Sequence, residues 1–187
     1  MLVVCDPSED IKKAHEVSQE DMNERVFVFE SDSETELRTT KQGGGVQLIS
    51  LRKWWKVTKD YYKTEDIVLV WRKLENFKMT KEINEKFDKF LLENAGKHYK
   101  FNVGELVLST VGKNKKEKLE STFCSELVAD SLKMLGLLGN EKLSNNYVPR
   151  DFTSMFTKDG KDFKFMIEEV KLTSEIRIKF LSKEIQL

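Results

Sequence analysis

The run Ser121-Thr122-Phe123-Cys124-Ser125-Glu126-Leu127-Val128-Ala129-Asp130 puts a cysteine at the head of an amphipathic helix, and there the chain offers a thiol nucleophile. In this reading Ser121 or Thr122 is the N-cap, Phe123, Leu127, Leu132 and Leu135 share one apolar stripe, and Gly139-Asn140 supplies the stop. Cys124 then lies in the first turn, where unpaired backbone N–H groups and the positive end of the helix dipole favour thiolate over thiol. A nucleophile so placed still needs a base and a group to orient that base. The competing reading is structural, because free cysteine is among the most buried residue types and packs as a small hydrophobe.

The chain has two histidines to serve as that base. His15 lies in the polar run Ile11 to Asp21, which reads as an insertion between two strands, and is expected as a solvated surface residue. His98 lies in the turn Gly96-Lys97-His98-Tyr99-Lys100-Phe101 and is the candidate substitute base. Ser125 and Tyr99 are candidate oxyanion or polar neighbours, set against the plainer roles of surface hydroxyl and core tyrosine. With Cys5 and Cys124 as its only cysteines the chain has no disulfide framework and no CxxC metal spacing. Neither a metal nor another cofactor is expected.

The elements that must position these groups follow from hydrophobic patterning. A short strand at Leu2 to Cys5 leads into an acidic insertion from Ser8 to Asn23 that reads as loop or helix. Val26 to Glu30 is nearly continuous apolar strand, Ser31 to Gly44 is loop, and Val46 to Ser50 is the next strand. The triple glycine Gly43-Gly44-Gly45 is no phosphate loop, since it lacks the GKS or GKT ending and a following helix. Leu51-Arg52-Lys53-Trp54-Trp55 begins a short helix or turn, and Ile67 to Trp71 is a further strand. Lys81 to Asn94 carries Ile83, Phe87, Phe90 and Leu91 at helical spacing, so its apolar face packs on the sheet. Val103 to Leu108 reads as helix or strand, the cysteine helix spans about Thr122 to Leu138, and Phe163 to Glu168 and Ile176 to Leu181 read as strands.

At 187 residues the chain is most simply one domain, with a core of its own. Its 32 basic and 32 acidic residues balance, so no global field selects nucleic acid or an anionic membrane. No run reaches the roughly 18 apolar residues of a membrane span, and no leader-like segment opens the chain. A cytoplasmic or at least intracellular protein is the default.

The run Phe123 to Ala129, with Leu135-Gly136-Leu137-Leu138 and Val148-Pro149-Arg150-Asp151-Phe152, resembles the C-terminal signature of the permuted papain-like amidases, the YiiX type of the NlpC superfamily. Val26-Phe27-Val28-Phe29-Glu30-Ser31 and Gly45 to Leu51 resemble that family's second and third core strands. The similarity covers roughly residues 25 to 155, leaving 156 to 187 as a C-terminal extension. It implies a circularly permuted papain-like α+β domain, an antiparallel sheet packed against a nucleophile-bearing helix. It also implies Cys124 as nucleophile and Glu30 as the group that orients the histidine. The family's histidine opens the first core strand, of which Met1 to Cys5 resembles the remainder, so that position is expected just before residue 1. Near Tyr99 the Gly-x-x-Tyr element resembles the segment in which the tyrosine faces the site.

Amide cleavage through a thiol acyl-enzyme, on peptide-like substrates, is the activity this resemblance implies. Two alternatives stand beside it. One is an inactive relative that binds a protein partner or serves as a structural subunit, favoured by the missing base and by the aromatics Trp54, Trp55, Tyr61 and Tyr62. The other is a lipid acyltransferase or phospholipase that passes an acyl group through Cys124.

Overall fold

The computed structural model describes residues 1–32, 44–62, 68–99, 124–153 and 165–179. The expected strand or helix at 103–108, the N-cap residues Ser121 and Thr122, and Phe123 lie outside the described residues.

Mixed helix and antiparallel sheet make up the fold. Strands β1 (Leu2–Cys5), β2 (Val26–Asp32) and β3 (Gly45–Ser50) pair antiparallel in the order β1-β2-β3, with Leu2 across from Phe29 and Phe27 across from Ser50. Residues 97–99 run along the outer edge of β3. The Val46 N–H donates to the Lys97 carbonyl at 2.7 Å, the Tyr99 N–H donates to the Gly44 carbonyl at 2.8 Å, and Gly45 bridges His98 between them. A methyl group on Gly45 would run into the Lys97 carbonyl, so this close approach requires glycine.

Strand β2 is buried on both faces, which is why it reads as an uninterrupted apolar run. Alternation sends Phe27 and Phe29 to one side, with Val46 and Leu48 of β3, where they meet Ile11 of α1 (Glu9–Ala14), Leu91 of α3 (Lys81–Asn94) and Leu127 of α4 (Cys124–Met134). Val28 and Ile49 face the other side, under Trp54 of α2 (Leu51–Tyr62). The helix starts are locally encoded. Ser8 Oγ accepts the Ile11 N–H at 3.4 Å, Ser50 Oγ accepts the Lys53 N–H at 3.2 Å, and Thr80 Oγ1 accepts the Ile83 N–H at 3.3 Å. Helix α4 ends at Met134 rather than near Leu138. Gly136 takes φ 71°, and the Leu137 N–H closes back on the Leu132 carbonyl at 2.8 Å, a turn that a side-chain-bearing residue enters only under strain.

The opposite side of α4 holds the C-terminal part of the chain. Ala129 and Leu132 pack with Leu137, Leu138, Phe165 and Val170, and with Leu74 and Leu172. Strand β4 (Val68–Trp71) pairs with β7 (Ile176–Lys179), and β5 (Leu74–Glu75) with β6 (Lys171–Leu172). The last strands are therefore woven onto residues 68–75, not appended as an extension. Phe165 to Glu168 is bend and turn in place of the expected strand, and its one buried side chain, Phe165, plugs against α4. The turn Leu51 to Trp55 extends into the full helix α2. Among the described residues no helix is long and apolar enough to cross a membrane.

Candidate functional site

Cys124 is the first described residue of α4. Its thiol is free and half-buried, whereas Cys5 at the end of β1 is exposed. The next turn carries Leu127, which drives this face of the helix onto Phe27 and Phe29, so the cysteine sits on the α1/α3 side of the sheet. Ser125 is buried and its hydroxyl donates to the Tyr147 carbonyl at 2.8 Å. That bond fixes the loop after α4 against the helix start and occupies the hydroxyl expected as a polar neighbour of the thiol.

Tyr99 is half-buried beside Cys124. Burial pushes its phenol above the ordinary tyrosine value, and negative charge on Cys124 and then on Asp32 pushes it further the same way. The phenol therefore keeps its proton at neutral pH. Asp32, at the end of β2, is a carboxylate that the sequence did not single out; its charge acts on Tyr99 and on Glu30. Its signal was position: two residues beyond Glu30 on the same strand, across from Gly45.

Glu30 stands elsewhere. Parity puts it with Val28 on the α2 side, where its carboxylate accepts Gln47 Nε2–H at 3.0 Å and the Trp54 indole N–H at 3.1 Å. It is 7 % exposed, and burial first, then the charge of Asp32, lifts its pKa from 4.5 to about 7 against the two hydrogen bonds and the N-terminal charge. The expectation that Glu30 faces Cys124 is thus corrected: sheet alternation turns it to the opposite face from Leu127 and the cysteine helix. Gln47 and Trp54, its two donors, were not foreseen as its partners.

His98 is exposed. The ladder through Gly45 places it in one row with Asp32, on the α2 side, while its neighbour Tyr99 projects to the cysteine side. Strand parity therefore removes His98 from the sulfur, against its expected role as substitute base, and no hydrogen bond joins the two. His15 overturns its expectation of a surface residue. It is 2 % exposed, its Nε2 bonds the Leu91 carbonyl at 3.0 Å, and its ring packs edge-on against Phe29 at 5.6 Å. Burial lowers its pKa from 6.5 to about 4, opposed by the Leu91 bond. It makes no hydrogen bond to Cys124 either.

Among the described residues no group of three or more His, Cys, Asp or Glu side chains stands in a metal-holding arrangement. What the neighbourhood brings together is a half-buried thiol at the first described residue of α4 and the Tyr99 phenol. Comparison with protein-family models, with curated proteins and with solved structures returned no match.

Proposed function

We propose that this chain is a cysteine hydrolase-type domain of the permuted papain-like kind, with Cys124 as the group that takes up an acyl moiety. The observation that carries the reading is the half-buried thiol at the head of α4 with the Tyr99 phenol beside it. The sulfur would attack an amide or ester carbonyl carbon while the C–N or C–O bond breaks and the departing amine or alcohol takes a proton. Water would then split the thioester and regenerate the thiol. First-turn backbone N–H groups of α4 and the protonated phenol of Tyr99 suit the oxyanion, the one as fixed dipoles and the other as a donor. The proton leaving Cys124 needs an acceptor; His15 Nε2 is engaged by the Leu91 carbonyl, and His98 is exposed.

That last fact, with Glu30 engaged by Gln47 and Trp54 on the other face, favours a second reading in which the domain keeps the fold and binds a partner without chemistry. Iodoacetamide labelling at pH 6 followed by peptide mass spectrometry separates the two. Exposure favours Cys5, so faster alkylation of Cys124 requires activation of its thiol. Labelling confined to Cys5 would remove the hydrolase reading. Incubation with acyl-thioester donors then distinguishes an amidase from a lipid acyltransferase by whether a fatty acyl group accumulates on Cys124.

A further inference from the structure

The segment between β1 and β2 is fastened to the rest of the molecule at separate points, and one of them titrates. At its far end Asp21, 3 % exposed, accepts Ser18 Oγ–H at 2.6 Å and Ser50 Oγ–H at 2.7 Å, and stands 3.7 Å from Arg52 Nη2 and 3.8 Å from Lys53 Nζ. Lys12 Nζ donates to the Met22 and Glu24 carbonyls at 2.7 and 2.9 Å and so holds the segment to itself. The α1 end is held by Ile11, fully buried in the core shared with Leu91 and Leu127, and by His15.

The His15 ring offers two nitrogens and its pocket offers one acceptor. Nε2 must carry the hydrogen, because its partner is the Leu91 carbonyl, which only accepts. Nδ1 is buried with no hydrogen-bond partner. An imidazolium has two N–H groups to place, so protonation would leave a charged donor buried against Phe29 with nothing to receive it. The charged residues of the packed elements are Lys12 and Glu16 beside it, Asp88 of α3, Glu30 and Asp32 of β2 and Glu126 of α4; none hydrogen-bonds Nδ1, and the pKa shift is caused by burial, opposed by the Leu91 bond.

We propose that His15 is an acid-released latch: protonation of Nδ1 leaves a charged donor in the core with nothing to receive it, the ring leaves its pocket and gives up the Leu91 bond, and α1 swings off the core on the turn that follows it while Asp21 holds the other end. Glu16, the next residue, already sits in the left-handed region at φ 52°, so the chain bends there rather than continuing the helix. Opening would lift Ile11 from the apolar cluster that also seats Leu127, one turn beyond Cys124, and so expose apolar surface beside the thiol-bearing helix. The latch operates whether or not Cys124 performs chemistry.

Hydrogen–deuterium exchange on the full chain between pH 7.5 and 4.5, corrected for the intrinsic pH dependence of exchange, tests it. Protection of the α1 amides should fall about 10-fold per pH unit once the pH drops below about 6.5, while the amides of β2 stay protected. His15→Gln keeps a donor for Leu91 but cannot be protonated, and its α1 protection should be independent of pH. A wild-type α1 that stays protected at pH 4.5, an equal loss in H15Q, or simultaneous loss in α1 and β2 would each overturn the latch. If H15Q does not fold, the wild-type imidazole followed by NMR decides: a titration midpoint at or above 6.5 in the folded chain refutes it.

Discussion

Replacing Glu30 by glutamine should stabilise this protein at alkaline pH and leave it nearly unchanged at acidic pH. The carboxyl is 7 % exposed and its pKa stands at about 7 against an ordinary 4.5. Between those values the folded chain keeps a proton that the unfolded chain has released, so stability falls as pH rises through the window. At about 1.4 kcal/mol per unit, the shift makes ionised Glu30 cost about 3 kcal/mol above pH 7, little of it screened because the group is buried. The amide introduced by E30Q has the shape of the protonated acid. Its carbonyl accepts the Trp54 N–H, and its NH2 group donates to Gln47 Oε1, now buried without a partner, once the Gln47 amide turns over. Urea unfolding at pH 8 and pH 4 gives the test: the variant should gain about 3 kcal/mol more at pH 8 than at pH 4, roughly 6–12 °C in Tm for a chain of this size. A variant less stable than wild type at pH 8 would show that the ionised carboxylate is a stabilising group there, and the desolvation argument would fail.

His15 gives the same experiment a second edge. Its folded-state pKa of about 4 lies below the ordinary 6.5, so here the unfolded chain holds the extra proton and stability rises with pH between those values. The two slopes have opposite sign and overlap from pH 4.5 to 6.5. Wild type should therefore be almost flat in that range, and E30Q should expose the His15 slope of about 1.4 kcal/mol per pH unit.

Gly45→Ala should push residues 97–99 off the edge of β3, because the new methyl meets the Lys97 carbonyl; the Tyr99 phenol should then titrate nearer 10 by ultraviolet absorbance, and an unmoved titration would refute the close approach. Asp21→Asn should cost roughly 1.5–3 kcal/mol in urea unfolding, since it replaces a buried charge that accepts both Ser18 and Ser50, and a neutral outcome would make that knot ornamental. Leu127→Ala should cost about 2–5 kcal/mol by opening a cavity between α4 and β2, whereas a loss under about 1 kcal/mol would mean that α4 collapses onto the sheet.

What the sequence discloses and what it hides divide along one physical line. Helix α3 is legible to the residue because Ile83, Phe87, Phe90 and Leu91 mark one face and Thr80 caps it. The strands β1 to β3 are legible because apolar runs bounded by polar loops have few other uses. Strand β2, however, is apolar on both faces, so its sequence has no alternation from which to read parity. The misplacement of Glu30 follows from that: the resemblance assigns it to the cysteine side when it belongs with Val28 and Trp54.

The same reasoning explains His15 in reverse. Six helical residues in a charged segment make too weak a stripe to announce a buried face, and Ile11 and His15, one turn apart, are the side chains that anchor it in the core. Isolated helices this short do not hold in water, so α1 exists because those two side chains are received by Leu91, Phe29 and their neighbours. A tertiary anchor of that kind leaves no periodicity in the sequence. It also makes the helix depend on the state of one imidazole, which is why removing the ring's ability to take a proton should separate the stability of α1 from pH while leaving β2 as it was.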